Sequence, residues 1–83
     1  MFDLNSFREA VRLENFEWRK HVLQRLAERG IRQEEIIATL LEGELIREYR
    51  DDKPFPSALF FLQKDRPIHV VAAFDSENRF GYI

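Results

Sequence analysis

His21, Arg25 and Arg29 are spaced four residues apart in the segment HVLQRLAERGI, which runs from His21 to Ile31. Since an α-helix has 3.6 residues per turn, this spacing predicts a row along one side of a helix. Guanidinium groups bind phosphate through paired donors, and a histidine near neutral pH can give or take a proton. Such a row suits RNA cleavage without a metal, but by itself it is more often the solvated face of an amphipathic helix.

A second histidine, His69, lies in the segment PIHVVAAF. Both faces of this segment are apolar, so it predicts an inner strand, where a histidine is more often a core residue than a catalyst. If His69 is catalytic instead, it and His21 are the candidates for proton transfer. Metal-independent cleavage needs two such groups, one to take the 2′-hydroxyl proton and one to protonate the leaving oxygen.

The segment EYRDDKPFPS contains the remaining candidates. Its two prolines predict a stiff loop, and loops often carry binding residues. Lys53 would bind phosphate, and Tyr49 or Glu48 would be an accessory catalytic group. Asp51 and Ser57 would have structural or accessory roles. The alternative is a charged turn between two strands.

Several kinds of chemistry are absent from the sequence. The chain has no cysteine, so disulfides, thiolate nucleophiles and cysteine-based zinc sites are excluded. Its two histidines have no carboxylate at ligand spacing, and its three glycines form no phosphate-binding loop. We therefore expect neither a metal site nor a cofactor.

Three helices are predicted in the first half of the chain. The apolar spacing places them at about Asn5–Glu14, Glu17–Arg29 and Gln33–Glu42. Asn5 or Ser6 is the expected N-cap of the first helix. Gly30 and Gly43 follow the second and third helices, where each is expected to take the left-handed conformation that ends many helices.

The second half predicts strands in the segments ELIREYR, ALFFLQ, IHVVAAF and RFGYI. Connections of only a few residues join antiparallel neighbours. The expected fold is α+β, with two or three N-terminal helices packed on one face of a three- to four-stranded antiparallel meander, in a single domain over residues 1–83.

The net charge of −2 is unevenly distributed along the chain. Residues 16–32 contain five basic and two acidic residues, whereas residues 33–52 contain seven acidic and two basic residues. This asymmetry can produce a local positive field on an acidic molecule, or two solvated faces of opposite sign. The acidic N-terminal segment resembles no signal peptide and no apolar run could span a bilayer, so we expect a cytoplasmic protein without membrane contacts.

Four ordered motifs over residues 21–78 resemble the family of unknown function DUF4258. They are a helix with the pattern H-x-x-x-R-x-x-x-R-G-I, a short helix ending in L-x-x-G-E-x-I, and the segments E-Y-x-D-D-K-P-x-P-S and R-P-I-H-V-V-A-A. The family is similar in layout to small toxins of the RelE, ParE and BrnT kind, which place helices before an antiparallel sheet. The recurrent polar positions fall on His21, Arg25, Arg29, Glu48, Tyr49, Asp51, Lys53, Ser57 and His69.

This resemblance implies an RNA-interacting, toxin-like domain that is either a metal-independent endoribonuclease or a degenerate relative of one. RNA and a cognate antitoxin-like protein are the implied partners. The alternative is a non-enzymatic interaction module that self-associates or pairs through its sheet edge. The opposite charges of the second and third helices favour this alternative.

Overall fold

The computed structural model describes all residues, 1–83, and contains three helices and five strands. The helices are α1 (Leu4–Arg12), α2 (Lys20–Arg29) and α3 (Gln33–Glu42). The strands are β1 (Phe16–Glu17), β2 (Glu44–Tyr49), β3 (Ser57–Gln63), β4 (Pro67–Asp75) and β5 (Phe80–Tyr82). They form one sheet in the order β1-β5-β4-β3-β2, antiparallel except for the parallel pair β1 and β5. The α+β prediction is confirmed, whereas the strand number and the purely antiparallel sheet were wrong.

The additional strand, β1, explains why α2 begins three residues later than predicted. The Ile83 N–H donates to the Glu17 carbonyl at 3.0 Å, and the Arg19 N–H donates to the Ile83 carbonyl at 2.8 Å. Because the Glu17 carbonyl accepts the Ile83 N–H, it cannot accept a helical N–H as well, and α2 starts at Lys20 with Arg19 as its N-cap. A strand of two residues is too short to show any periodicity in the sequence.

The two glycines predicted to end helices differ in conformation. Gly30 has φ 65°, and the Ile31 N–H donates to the Leu26 carbonyl at 2.9 Å, which confirms the predicted left-handed end of α2. The prediction for Gly43 was wrong, because its φ of −74° and ψ of 174° are extended. A Cβ at Gly43 would collide with the Thr39 carbonyl oxygen and lie 2.7 Å from that of Phe61, so glycine permits close backbone approach there.

The N-cap of α1 also differs from the prediction. Asp3, rather than Asn5 or Ser6, caps the helix by accepting the Ser6 N–H at 3.1 Å. This hydrogen bond lowers the pKa of the Asp3 carboxyl because it stabilises the charged form. The helix therefore begins at Leu4, one residue earlier than its apolar pattern indicates.

The core lies between the sheet and helices α1 and α3, which cover one of its faces. Phe7 and Phe60 are fully buried with ring centroids 5.5 Å apart, and Phe74 lies 5.7 Å from Phe7. Helix α2 joins this core through Leu26. The opposite face of the sheet has no helix over it, and none of the helices has the length and apolar character needed to cross a membrane.

Arg66, in the turn between β3 and β4, fixes the junction of α2 and α3 to the sheet. Its guanidinium donates to both carboxylate oxygens of Glu35, at 2.8 and 3.1 Å, and to the Gly30 carbonyl at 2.8 Å. The hydrogen bonds from Arg66 lower the pKa of Glu35 to about 2. Gly30 is the C-cap of α2, directly after Arg29. The hydrogen bond from Arg66 to its carbonyl therefore holds the end of the helix close to the start of β4.

Candidate functional site

A cleft of about 320 Å³ lies between α2 and β4. His21, Arg25 and Arg29 line it from the helix, and His69 lines it from the strand. The predicted row of His21, Arg25 and Arg29 therefore lies in the same cleft as His69. Throughout, "the cleft" means this space and the side chains that line it.

The cleft exists because β5 is much shorter than β4. β5 pairs with β4 only at Ala73, Phe74 and Asp75, so no strand lies beside the first part of β4 on that side. Helix α2 lies there instead, with Val22 and Leu26 forming an apolar part of the cleft wall.

Backbone groups along the unpaired edge of β4 also point towards the cleft. In an antiparallel ladder, alternate residues direct both their N–H and C=O groups to the same neighbouring strand. The Phe74 N–H donates to the Pro56 carbonyl, towards the β3 side, so His69 and Val71 direct both their N–H and their C=O groups to the side of the cleft. Two backbone donors and two backbone acceptors therefore lie on the same side as the guanidinium row.

The cleft is electropositive and accessible. None of Arg19, Arg25 and Arg29 has a carboxylate within ion-pair distance, and no acidic side chain lines the cleft. His21 and His69 are both exposed, and neither side chain makes a hydrogen bond within the protein. Guanidinium groups without protein partners can bind the phosphates of a ligand without first breaking an ion pair.

The expectation that His69 is a core residue was wrong. Its strand is an inner one, but the face of the sheet that bears His69 has no helix over it. The ring lies 4.7 Å from that of Phe61 on β3, directly opposite in register. This contact packs one side of the imidazole against β3, while the residue stays exposed.

Arg19 is a cleft residue that the spacing argument missed. It precedes α2, where its backbone pairs with Ile83, and its guanidinium lies 5.7 Å from the centre of the Tyr82 ring. The excess of basic residues between Phe16 and Arg32 was the only signal for it in the sequence. Its position adds a third guanidinium at the end of the cleft nearest the start of the helix.

The candidates between Glu48 and Ser57 lie away from the cleft. Ser57 is opposite Ala73 in register, four residues along β4 from His69, which is about 13 Å of strand. Lys53 and Asp51 are exposed in the loop between β2 and β3 and do not line the cleft. The structure therefore divides the predicted residues into two groups, and phosphate binding by Lys53 stays a prediction for a separate surface.

The side chains of three of these candidates, Glu48, Tyr49 and Ser57, contact other groups of the protein. Glu48 accepts the Phe2 N–H at 2.8 Å and lies 3.8 Å from the Arg50 guanidinium, so it holds the N-terminal segment against the sheet. The Ser57 hydroxyl donates to the Asp52 carboxylate. The Tyr49 ring lies 5.5 Å from the Arg47 guanidinium. Glu48 and Ser57 therefore stabilise the loop and the N-terminus in this structure.

No group of three or more histidine, aspartate or glutamate side chains is arranged to hold a metal ion. The chemistry available in the cleft is proton transfer by two imidazoles and electrostatic stabilisation by three guanidinium groups.

Comparisons with known proteins place the chain in one family. Residues 18–83 match the model of DUF4258, a domain of unknown function, and the matched range contains every residue named in the cleft. No curated protein and no solved structure is significantly similar to the chain. Since the match covers more than half of the 83 residues, the chain belongs to the DUF4258 family.

Proposed function

We propose that the cleft binds the phosphodiester backbone of RNA and that His21 and His69 catalyse its cleavage without a metal ion. The observation that carries this proposal is the meeting of both histidines of the chain with three unpaired arginines in one accessible cleft. Two proton-transfer groups and several cations are what phosphodiester cleavage through the 2′-oxygen requires.

In the proposed reaction, a neutral imidazole removes the 2′-hydroxyl proton as the 2′-oxygen attacks phosphorus. The bond from O2′ to phosphorus forms and the bond from phosphorus to O5′ breaks. The second imidazole, in its protonated form, gives its proton to O5′. The products are a 2′,3′-cyclic phosphate and a free 5′-hydroxyl.

The arginines and the strand edge support the same reaction electrostatically. Arg25 and Arg29 would hold the phosphate oxygens and stabilise the additional negative charge of the phosphorane. The N–H groups of His69 and Val71 face the side of the cleft, together with the C=O groups of the same residues, and would supply fixed donors. Preorganised donors of this kind need no rearrangement when charge develops.

The layout of RelE, ParE and BrnT toxins, which the sequence motifs imply for this chain, would support the proposal by analogy of fold. If the chain is such a toxin, an antitoxin-like partner would be expected to cover the cleft with acidic side chains, since the cleft itself has none.

The test is cleavage of a labelled single-stranded RNA by the purified chain in excess EDTA. We expect His21→Ala and His69→Ala each to lower the rate at least about 100-fold, because each removes one proton-transfer group. Gln24→Ala is the matched control, as Gln24 is exposed on the same helix and does not line the cleft. Cleavage by either histidine variant at the wild-type rate would remove that residue from the mechanism.

The non-enzymatic alternative is favoured by one observation, the unpaired outer edge of β2, where Ile46 is 46% exposed. Such an edge can add a strand from another chain. Light scattering at low and high salt tests it: a concentration-dependent dimer without RNA cleavage would favour the interaction module, and a monomer under all conditions would count against it.

A further inference from the structure

The face of the sheet opposite α1 and α3 carries aromatic rings and guanidinium groups. We call it the open face and define it by six of the side chains that the register places on that side of β2, β3 and β4: Arg47, Tyr49, Leu59, Phe61, His69 and Val71. No helix covers these residues, and Val71 at their centre is 50% exposed. Towards Ser57 and Ala73, which are buried, the loop between β2 and β3 packs against the same side, with the Phe55 ring stacked on Tyr82 at 5.4 Å. The accessible part of the face, around Val71, has a composition that suits a ligand with flat rings and negative charge.

We propose that the open face stacks the bases of single-stranded RNA whose backbone lies in the cleft. This inference rests on the proposed function, since it names the class of RNA that the same site takes. Bases stack on aromatic side chains regardless of their sequence, because every base has a π face. Recognition would therefore be selective for single strands and tolerant of sequence.

Two groups of side chains form the stacking positions. The rings of Phe61 and His69 have centroids 4.7 Å apart, and the Arg47 guanidinium lies 5.5 Å from the centre of the Tyr49 ring. Tyr49 is opposite Ser57, four residues along β3 from Phe61, so the positions are separated by about 13 Å along the strands. A strand of several nucleotides can span this distance.

Leu59 and Val71 connect the two stacking positions. They are opposite each other in register, between the Phe61 row and the Ser57 row. Their side chains give a flat apolar floor on which an intervening base can lie.

The charges on the open face also fit a polyanion. Arg47 has no carboxylate within ion-pair distance. Two strand carboxylates lie on this side of the sheet by register: Glu44, on the outer strand directly opposite Phe61, and Asp75, at the far end. The Asp52 carboxylate reaches the same side where it accepts the Ser57 hydroxyl. The Asp75 carboxylate already accepts the N–H groups of Glu77 and Asn78, at 3.1 and 3.2 Å. The area between the two stacking positions carries no acidic side chain.

His69 connects the open face to the cleft. Its ring contacts Phe61 on the open face, and the same residue lines the cleft opposite the α2 row. A phosphate held by Arg25 and Arg29 would therefore place the neighbouring base next to Phe61. In a duplex the bases are paired and stacked on each other, so they cannot lie on a protein surface in this way.

The experiment measures binding by fluorescence anisotropy. The probe is a labelled 2′-O-methyl RNA of about 12 nucleotides, which cannot be cleaved through its 2′-oxygen, used alone and annealed to its complement. Phe61→Leu and Tyr49→Leu keep an apolar side chain but remove the ring. We expect each to weaken binding about tenfold without changing the dependence of affinity on salt. The duplex should bind at least about tenfold more weakly than the single strand.

Two variants serve as controls. Gln24→Ala and Leu13→Ala change exposed residues outside the cleft and the open face, so both should bind as the wild type does. Circular dichroism shows whether each variant is folded. Equal binding by wild type and both leucine variants, or equal binding of duplex and single strand, would overturn the stacking proposal.

Failure of this inference is distinguishable from failure of the proposed function. If Arg25→Ala weakens binding while both leucine variants bind fully, the phosphate site stands and the stacking surface does not. If the wild type binds neither strand, both proposals fail. If the wild type binds no RNA but forms a dimer that Phe61→Leu dissociates, the open face is a self-association surface and the stacking proposal is wrong.

Discussion

His69 is the residue on which the cleft and the open face both depend. Its exposure could not be predicted, because alternation along a strand shows which residues share a face but not whether another element covers that face. The row of His21, Arg25 and Arg29 was easier to predict, since four-residue spacing on a helix determines its geometry locally. That the row faces His69 depends on where α2 lies beside the sheet, which is a tertiary property.

At the residue scale, Arg25→Ala tests phosphate binding directly. We expect about a tenfold loss of affinity for single-stranded RNA, because the variant removes charge-assisted hydrogen bonds to phosphate. The slope of log affinity against log salt concentration should also decrease in magnitude by about 0.7, since one fewer phosphate is neutralised. The measurement is a salt series of binding isotherms.

Arg12→Ala is the matched control for Arg25→Ala. It makes the same change of charge on α1, where Arg12 lies 4.0 Å from Glu9 and outside the cleft. An equal effect of both variants would mean that RNA responds to overall charge rather than to the cleft.

At the element scale, the sequence predicted structure well at several local signals, although the local N-cap of α1 at Asp3 was missed. The bounds of α3 agree with the prediction, and Gly30 ends α2 in the expected conformation. The prediction failed for β1 and for Gly43, where long-range contacts decide the structure: the pairing of β1 with β5, and the approach of the Gly43 backbone to β3. Neither contact has a counterpart in nearby sequence.

The two helix-ending glycines should respond differently to substitution by alanine. Gly30→Ala should lower the free energy of unfolding by about 1 kcal/mol, since the left-handed conformation is strained for alanine but the space around it is open. Gly43→Ala should lower it by about 2–3 kcal/mol or more, because the new methyl group would collide with backbone atoms of Thr39 and Phe61. Urea denaturation of both variants measures the difference. A larger loss for Gly30→Ala would contradict this account of Gly43.

The contact between Glu35 and Arg66 predicts how stability depends on pH. The pKa of Glu35 is lowered to about 2 from an ordinary value of 4.5, mainly by the Arg66 hydrogen bond. A lowered folded-state pKa gives stability that is complete above about pH 4.5 and declines as the pH falls towards 2. We therefore expect the urea midpoint of the wild type to fall over this range.

Glu35→Gln should be less stable than the wild type at neutral pH, and its midpoint should depend less on pH between 4.5 and 2. Glu34→Gln is the control, because it removes an exposed carboxylate from the same turn of α3. If the two variants show the same acid dependence, the Glu35 contact does not contribute to it.

At the scale of the whole molecule, a chain with a net charge of −2 presents an electropositive cleft. Total charge is therefore a poor guide to its ligand, whereas the separation of acidic and basic segments was visible in the sequence and is consistent with the structure. The sequence could not predict which of its polar residues would lie in the cleft and which would lie in the loop from Glu48 to Ser57. That division follows from the length of β4, which separates His69 from the loop.

The central claim, that the cleft cleaves RNA through its 2′-oxygen, is tested most directly by matched strands. An RNA and a DNA of identical sequence are incubated with the wild-type chain in EDTA, and the ends of the products are identified by mass spectrometry. We predict that the RNA is cleaved to 2′,3′-cyclic phosphate and 5′-hydroxyl ends while the DNA, which lacks the nucleophile, stays intact. Cleavage of both strands, RNA products with 3′-hydroxyl ends, or RNA that stays intact would contradict the account.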